Sequence, residues 1–463
     1  MERKPSRKTF RPRLDEMITS IRNNIITGNI EPGKFLPSEK QLAEQFGLSV
    51  PSVRKGLSVL ANESLIVKKP KIGSQVVDPA EKGAITIRLG LTSTIPDDVN
   101  IHQLIVLFHR KHPNIRIQVV KLPGLTYDQA KSHLDGGMLD VLTMNYNHFR
   151  AFADAGRLDE IEPLARNEAL YPFLSDAFTE DGELRVQPFV FSPIILCYNR
   201  SHFVQQGLQE PDSSWDWKRL FECAAALDIP DERIGFHCYF STANRACLLL
   251  MQKGKAFERS EDGRLKLGGT EMMEAIRYSR EIYKKIPSLP NSLMDWDNVK
   301  LDMFRQGKVS MMITSYFVLN FLHHSDLNYD IAPVPHFGEP LTILLAIGMA
   351  VNRQSKHKEA ACKLVDFMIS PTAQQYIREH TCSLPARVNS AEWSGPDTSN
   401  RPSRFTLFRE IIPSFRLFTD LNIREDEYNL LFKELRLYWA GLINEETLSS
   451  RIESNSSMNV LEK

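Results

Sequence analysis

The chain has 463 residues, 57 basic and 57 acidic side chains and 42% apolar residues, the make-up of a globular protein with material for several cores. Its longest apolar stretch, Leu341–Val351 with Gly348 inside it, is well short of the roughly 18–20 residues a membrane helix needs. Six widely spaced cysteines form no CxxC or CxxH pair. That excludes a zinc ribbon or a redox dithiol and fits a reducing compartment.

The even charge balance hides an asymmetry. Residues 1–83 carry 15 Lys/Arg against 9 Asp/Glu, and the remainder 42 against 48. A basic head on an acidic body suggests that the head meets a polyanion. The charged N-terminus has no apolar leader core, so a cytoplasmic location without a membrane partner is expected.

In the head, Leu14, Ile18, Ile21 and Ile25 draw one face of a helix that Gly28 ends. Ser38 can cap a second helix, with Glu39 in its first turn and Leu42 and Phe46 facing inward. Gly47 suits a turn of positive φ. Ser49 is placed to cap a third helix, which tolerates Pro51 in its first turn and buries Val53, Leu57 and Leu60. Two short β-prone runs then flank Lys69-Pro-Lys-Ile-Gly73, a basic hairpin. Three helices with a tight glycine turn, followed by a basic hairpin, predict a winged helix-turn-helix over residues 11–78. Its expected DNA contacts are Arg11 and Arg13 at the first helix, Lys40 on the second, and Ser49, Ser52, Arg54 and Lys55 on the third. Lys69 and Lys71 follow on the wing.

The run GNIEPGKFLPSEKQLAEQFGLSVPSVRKGLSVLANESLI closely resembles the GntR family of bacterial transcription regulators. The resemblance implies operator recognition, as a homodimer on double-stranded DNA. Val50 stands where that family usually has an arginine, which bears on affinity and operator choice and leaves the fold intact.

After a short linker at 79–84, strands and helices alternate. ITIRLGLTS is followed by a helix over Val99–His112, then IRIQVVKL, a helix from Thr126, and LDVLTMN. This is the pattern of an α/β sheet, with ligands expected at the C-terminal ends of its strands. The alternation resumes with ILCYNRSHF, a helix near Trp217–Ala226 and RIGFHCYF. Then come a long helix over Glu271–Lys285 and the strands VSMMIT, YDIAPVP and ILLAIGMAV. The acidic REDEY at Arg424–Tyr428 reads as a solvated helix start, and SSRIESNSSMNVLEK as a frayed tail.

Several ordered elements, among them QPFVFSPIILCYNRSHFVQQGL, MFRQGKVSMMI and SKHKEAACKLVDFMISPTAQQYI, resemble family 1 extracellular solute-binding proteins, the sugar-binding components of ABC importers. The resemblance implies a two-lobed α/β periplasmic-binding-protein-like (type II) domain over 84–463 that closes on ligand as a hinge. Lobe one would take about 84–188 and 316–344, and lobe two about 196–312 and 352–463. The whole chain is thus expected to be multidomain, a winged helix followed by that solute-binding fold.

Sugars need aromatic faces and paired donors and acceptors. The loop after LDVLT supplies Met144, Tyr146 and Asn147, and the first crossing between lobes supplies Phe191 and Ser192. The GFHCYF loop supplies His237 and Tyr239, and Tyr316 and Phe317 follow VSMMIT. Trp296, in a polar MDWDN loop, is a further stacking candidate. Trp215 and Trp217 are expected to pack a helix start instead.

Catalysis is not expected: no GxSxG, HExxH or GxxxxGK[ST] occurs, nor a Schiff-base lysine loop. No cofactor or metal is expected, the His323-His324 pair lacking further ligands at the right spacing. The reading is a regulator whose carbohydrate-sensing domain controls operator binding; the alternative is the solute-binding receptor of a carbohydrate ABC transporter.

Overall fold

In a computed structural model of the protein, the described residues are all but 1–6, 27, 64, 71, 78–83, 93–94, 123, 239–242, 287–296, 324, 396–400 and 456–463. Side chains of 7–11, 96–97, 297–300 and 455 are likewise left aside. The expected linker thus lies outside the described residues except for Ala84. The chain forms two compact units. The first comprises Met1–Met144, Arg157–Phe189 and Gly348–Ile377; the second comprises Asn145–Gly156, Val190–Ile347 and Arg378–Lys463.

The head opens the first unit with α1 (Arg7–Ile26), α2 (Glu39–Phe46), α3 (Val50–Asn62) and a hairpin of β1 (Ile66–Lys69) and β2 (Gly73–Val76). Ser38 caps α2 in a full capping box, its backbone N–H donating to Gln41 Oε1 at 2.9 Å. Gly47 ends α2 at φ 59°, a left-handed conformation that glycine adopts without a Cβ penalty. Leu14, Met17, Ile18 and Ile21 of α1 are buried with Val53, Leu57 and Leu60 of α3. A Cβ on Gly56 would sit 2.3 Å from Met17 Cε, so any larger residue at this close helix crossing displaces the Met17 tip. Under the core, Arg22 and Glu63 pair through two hydrogen bonds of 3.0 and 2.8 Å, both side chains nearly inaccessible.

The same unit continues into β3 (Ile85–Thr92), α4 (Ile101–Lys111), β4 (Ile115–Leu122), α5 (Tyr127–Asp135) and β5 (Val141–Asn145). β3 pairs in parallel with β4 along its whole length and with β5 at Leu89 and Gly90, the right arrangement for strands joined by helices. Phe108 of α4 packs edge-on against Phe367 of the helix Lys358–Met368. The head lies on this layer: α1 packs against α4 and β4, the edge strand.

In the second unit, α6 (Tyr146–Asp154) precedes β6 (Gln187–Asn199), which starts in the first unit and is buried along all 13 residues. β7 (Ile234–His237) pairs in parallel with β8 (Val309–Ser315), and β8 pairs antiparallel with β6. β9 (Tyr329–Ala332) also lies antiparallel on β6. β10 (Thr342–Val351) runs from the second unit back into the first.

The compact units divide the chain differently from the expected lobes. Residues 316–344 fall in the second unit and 348–377 in the first. For residues 316–328 the cause is strand pairing, because β8 and β9, which flank them, are both held on β6. Two expectations for the C-terminal residues need correction. Glu427 of REDEY is buried at 2% exposure, held by a bidentate Arg259 (2.7 and 3.0 Å). Of the supposed frayed tail, Ser449–Asn455 belongs to the helix Glu445–Asn455. There Glu453 Oε1 accepts from the N–H groups of Leu267 and Gly268 at 2.8 and 2.9 Å.

Candidate nucleic-acid interface and ligand-binding residues

The recognition surface is built from the turn outward. Gly47 ends α2 and sets the start of α3, and Arg13 Nη1 donates to the Gly47 carbonyl at 3.2 Å. Arg13 therefore ties α1 to the turn. Ser49 does not cap α3 as expected: its Oγ lies 2.7 Å from Ser52 Oγ, and no side chain caps the helix. Ser52, expected to face outward, is buried at 9%, because its hydroxyl turns back to Ser49. An uncapped helix start is an arrangement that suits an anion.

Arg54 is 63% exposed, and its Nε donates to Glu39 Oε2 of α2 at 2.6 Å. Lys55 and Lys40 are exposed. On the wing, Lys69 is exposed, and Lys68 reaches back so that its Nζ donates to Ser58 Oγ on α3 at 2.8 Å. Lys71 and the Arg11 side chain lie outside the described residues; Arg11 itself is in α1. The sequence reading passed over Glu39 as an orienting group for Arg54, and over Lys68 as the staple between wing and α3. Strand alternation held the second signal, since neighbouring Lys68 and Lys69 must point to opposite faces.

The ligand candidates fall into three groups. Met144 is fully buried near the end of β5, in the first unit. Tyr239 and Trp296 lie outside the described residues. The rest are in the second unit, where Phe191, Ser192 and Tyr316 are brought together. Ser192 Oγ donates to the Pro193 carbonyl at 2.9 Å and accepts from the Tyr316 N–H at 2.7 Å. All three residues are fully buried. Phe317 is 8% exposed, whereas Asn147 near the start of α6 and His237 at the end of β7 are half-buried.

What surrounds these aromatics is a later segment of the same unit. Phe191 meets Phe408 and Phe415 edge-on, with centroids 6.0 and 6.4 Å apart. The Tyr316 hydroxyl donates to the Phe405 carbonyl at 3.0 Å and accepts from the Phe408 N–H at 3.2 Å. Tyr146 lies against Phe418, and its hydroxyl is 2.8 Å from Thr419 Oγ1. The sequence reading assigned nothing to this segment. Its signal was present in the repeated spacing of Phe405, Phe408, Phe415 and Phe418.

Elsewhere in the unit, Trp215 and Trp217 are buried at the start of the helix Trp217–Leu227, and Trp217 Nε1 donates to Gln252 Oε1 at 2.8 Å. Among the described residues, no group of three or more His, Cys, Asp or Glu side chains could hold a metal ion. No described helix is long and apolar enough to cross a membrane.

A family model described as bacterial extracellular solute-binding protein matches residues 103–406, and one for the gntR family of bacterial regulatory proteins matches residues 15–76. Over 159 residues the chain is 28% identical to YieP, an uncharacterized HTH-type transcriptional regulator of Escherichia coli, covering 34% of this chain and 66% of YieP. It is 37% identical over 82 residues to the HTH-type transcriptional repressor NagR of Bacillus subtilis, covering 18% of this chain and 32% of NagR. A putative binding protein of Brucella abortus is 22% identical over 262 residues, 52% of this chain and 61% of the relative. The chain spans less than two thirds of the length of each of these relatives.

Among solved structures, the Listeria monocytogenes ABC substrate-binding protein Lmo0181 in complex with cycloalternan has a TM-score of 0.67 at 20% identity, over 81% of this chain and 98% of that one. Maltose-bound MalE3 of T. maritima has a TM-score of 0.68 at 16% identity, over 81% and 99%. These likenesses establish a two-lobed solute-binding fold after the winged helix. Both families are of non-catalytic kinds, one binding DNA and the other solutes. The chain belongs to the bacterial extracellular solute-binding protein family and carries a GntR-family winged helix at its N-terminus.

Proposed function

We propose that the chain is a cytoplasmic transcription regulator without catalytic activity. Its head binds operator DNA as part of a homodimer, and its solute-binding domain takes a carbohydrate that changes the hold of the head on DNA. One observation carries the coupling: the head and the first α/β layer form one compact unit, with α1 packed on α4 and β4. A conformational change in that layer therefore acts on the head through this packing. The carbohydrate class is supported by structures of the same fold that hold maltose and cycloalternan.

On this reading Arg54 and Lys55 face the bases, and Lys40, Lys69 and the uncapped start of α3 meet phosphates. Glu39 orients the Arg54 guanidinium until a base edge replaces it. In the effector domain, Asn147 and His237 are the half-buried polar groups that meet sugar hydroxyls, and Phe317 supplies an apolar face. Selecting duplexes from a random pool with the full chain tests the DNA half. Enrichment of a palindromic site is expected, with Arg54→Ala weakening binding by about 1–3 kcal/mol. A folded Arg54→Ala protein with unchanged affinity, or a pool that never enriches, contradicts it.

A further inference from the structure

Inside the helix Pro371–His380 the chain passes from the first unit to the second: Ile377 belongs to one and Arg378 to the other. Gln374 and Arg378, one helical turn apart, share a face of that helix, and Tyr376 points the other way. Each of the three side chains holds a different part of the fold.

On the first-unit side, Gln374 is fully buried, and its Nε2 donates to the carbonyls of Phe189 and Met368 at 3.1 and 2.9 Å. Phe189 is where β6 leaves the first unit. The Tyr376 hydroxyl accepts from Asn100 Nδ2 at 2.9 Å. Asn100 stands at the start of α4 with a left-handed φ of 51°, a conformation asparagine tolerates better than most residues. Its side chain does not cap α4; the amide nitrogen serves Tyr376 instead. α4 is in turn the helix on which α1 of the head packs. The charge of the head reaches Tyr376 as well: burial raises the tyrosine pKa, and Arg22 of α1 opposes the rise.

On the second-unit side, Arg378 is 2% exposed, and its guanidinium lies over the Phe405 ring at 4.5 Å. A desolvated cation holds an aromatic face more strongly than an exposed one. Phe405 is the residue whose carbonyl accepts from the Tyr316 hydroxyl, and the two rings meet edge-on at 5.4 Å. A single turn of helix therefore joins a grip on the aromatic layer to a grip on the support of the head. Building on the regulatory reading above and resting on it, we propose that the helix Pro371–His380 carries rearrangements of the aromatic layer to the head, with Arg378 as the input and the Tyr376–Asn100 hydrogen bond as the output. A ten-residue helix is stiff, so a shift of Phe405 taken up by Arg378 displaces Tyr376 and with it the start of α4. The head then moves as a body, its own core intact, and its hold on DNA changes.

Operator affinity of the full chain, measured by fluorescence anisotropy on its selected duplex, tests this through a double-mutant cycle. Arg378→Gln should change that affinity by about threefold or more, and Arg378→Lys, which keeps a cation over Phe405, should change it less. Tyr376→Phe keeps the ring and removes only the hydroxyl. In that background Arg378→Gln should no longer alter operator affinity. Should Arg378→Gln fail to fold, Phe405→Leu takes its place in the same cycle. An Arg378→Gln effect of equal size with and without the Tyr376 hydroxyl overturns the route and leaves the regulatory reading standing. So does a folded Arg378→Gln chain with unchanged affinity. A chain that selects no duplex overturns both.

Discussion

The head and the aromatic layer of the second unit are both closed by buried polar links, but over very different reaches of chain. In the head, the innermost link joins Arg22 to Glu63, 41 residues apart. In the second unit, Tyr316 is bound to Phe405, 89 residues on, and Tyr146 to Thr419, 273 residues on. The first region is closed by a partner that arrives within 41 residues. The second has no interior until the chain returns with Phe405–Phe418. A short-range core reads as a motif, and a long-range one only as scattered aromatics.

That contrast sets out where each region should break. Arg22→Met leaves the Glu63 carboxylate buried without its partner and should destabilise the head by about 3–5 kcal/mol. The double variant Arg22→Met/Glu63→Leu should recover most of the loss. Hydrogen exchange should place the effect in α1 and α3 while β6 and β8 keep their protection. Phe408→Ala removes a ring packed on Phe191 and Tyr316 and should cost about 3–5 kcal/mol. Its exchange map should be the reverse, loosening Gln187–Asn199 and leaving the head protected. If either variant loosens both regions equally, the comparison fails.

A smaller effect comes from acid. His109 titrates near pH 3 in the fold against 6.5 for an ordinary histidine, through burial first and Arg116 second. The unfolded chain therefore takes up the proton first as pH falls below 6.5, and stability declines with it. Between pH 7 and pH 5 the loss should be about 2 kcal/mol. Denaturant unfolding of the first unit across that range checks it, and a flat profile would show that His109 is not held neutral.

Much of this architecture is legible in the sequence, for physical reasons. Apolar spacing, Ser38 and Gly47 act within a few residues, so the winged helix can be read off directly. Parallel strands alternating with helices leave an equally plain trace from Ile85 to Asn145. The sequence does not show where a distant partner will arrive. Glu427 looks solvated until Arg259 reaches it, and Ser449–Asn455 looks frayed until Glu453 meets the Leu267 and Gly268 amides. Ser52 looks outward on a helical wheel, yet its hydroxyl turns to Ser49. Of the ligand candidates, chemistry could be assigned from residue type, but burial of Phe191 and Tyr316 depends on Phe405, Phe408 and Phe415.

On the proposed function, a solute held by the effector domain alters the grip of the head on DNA. Fluorescence anisotropy of the full chain on its selected operator, titrated with the sugar that binds most tightly by calorimetry, tests this most directly. Operator affinity should change by about 1–3 kcal/mol, and sugar affinity by an equal amount when operator is present. A sugar that binds the chain to saturation and leaves operator affinity unchanged would contradict it.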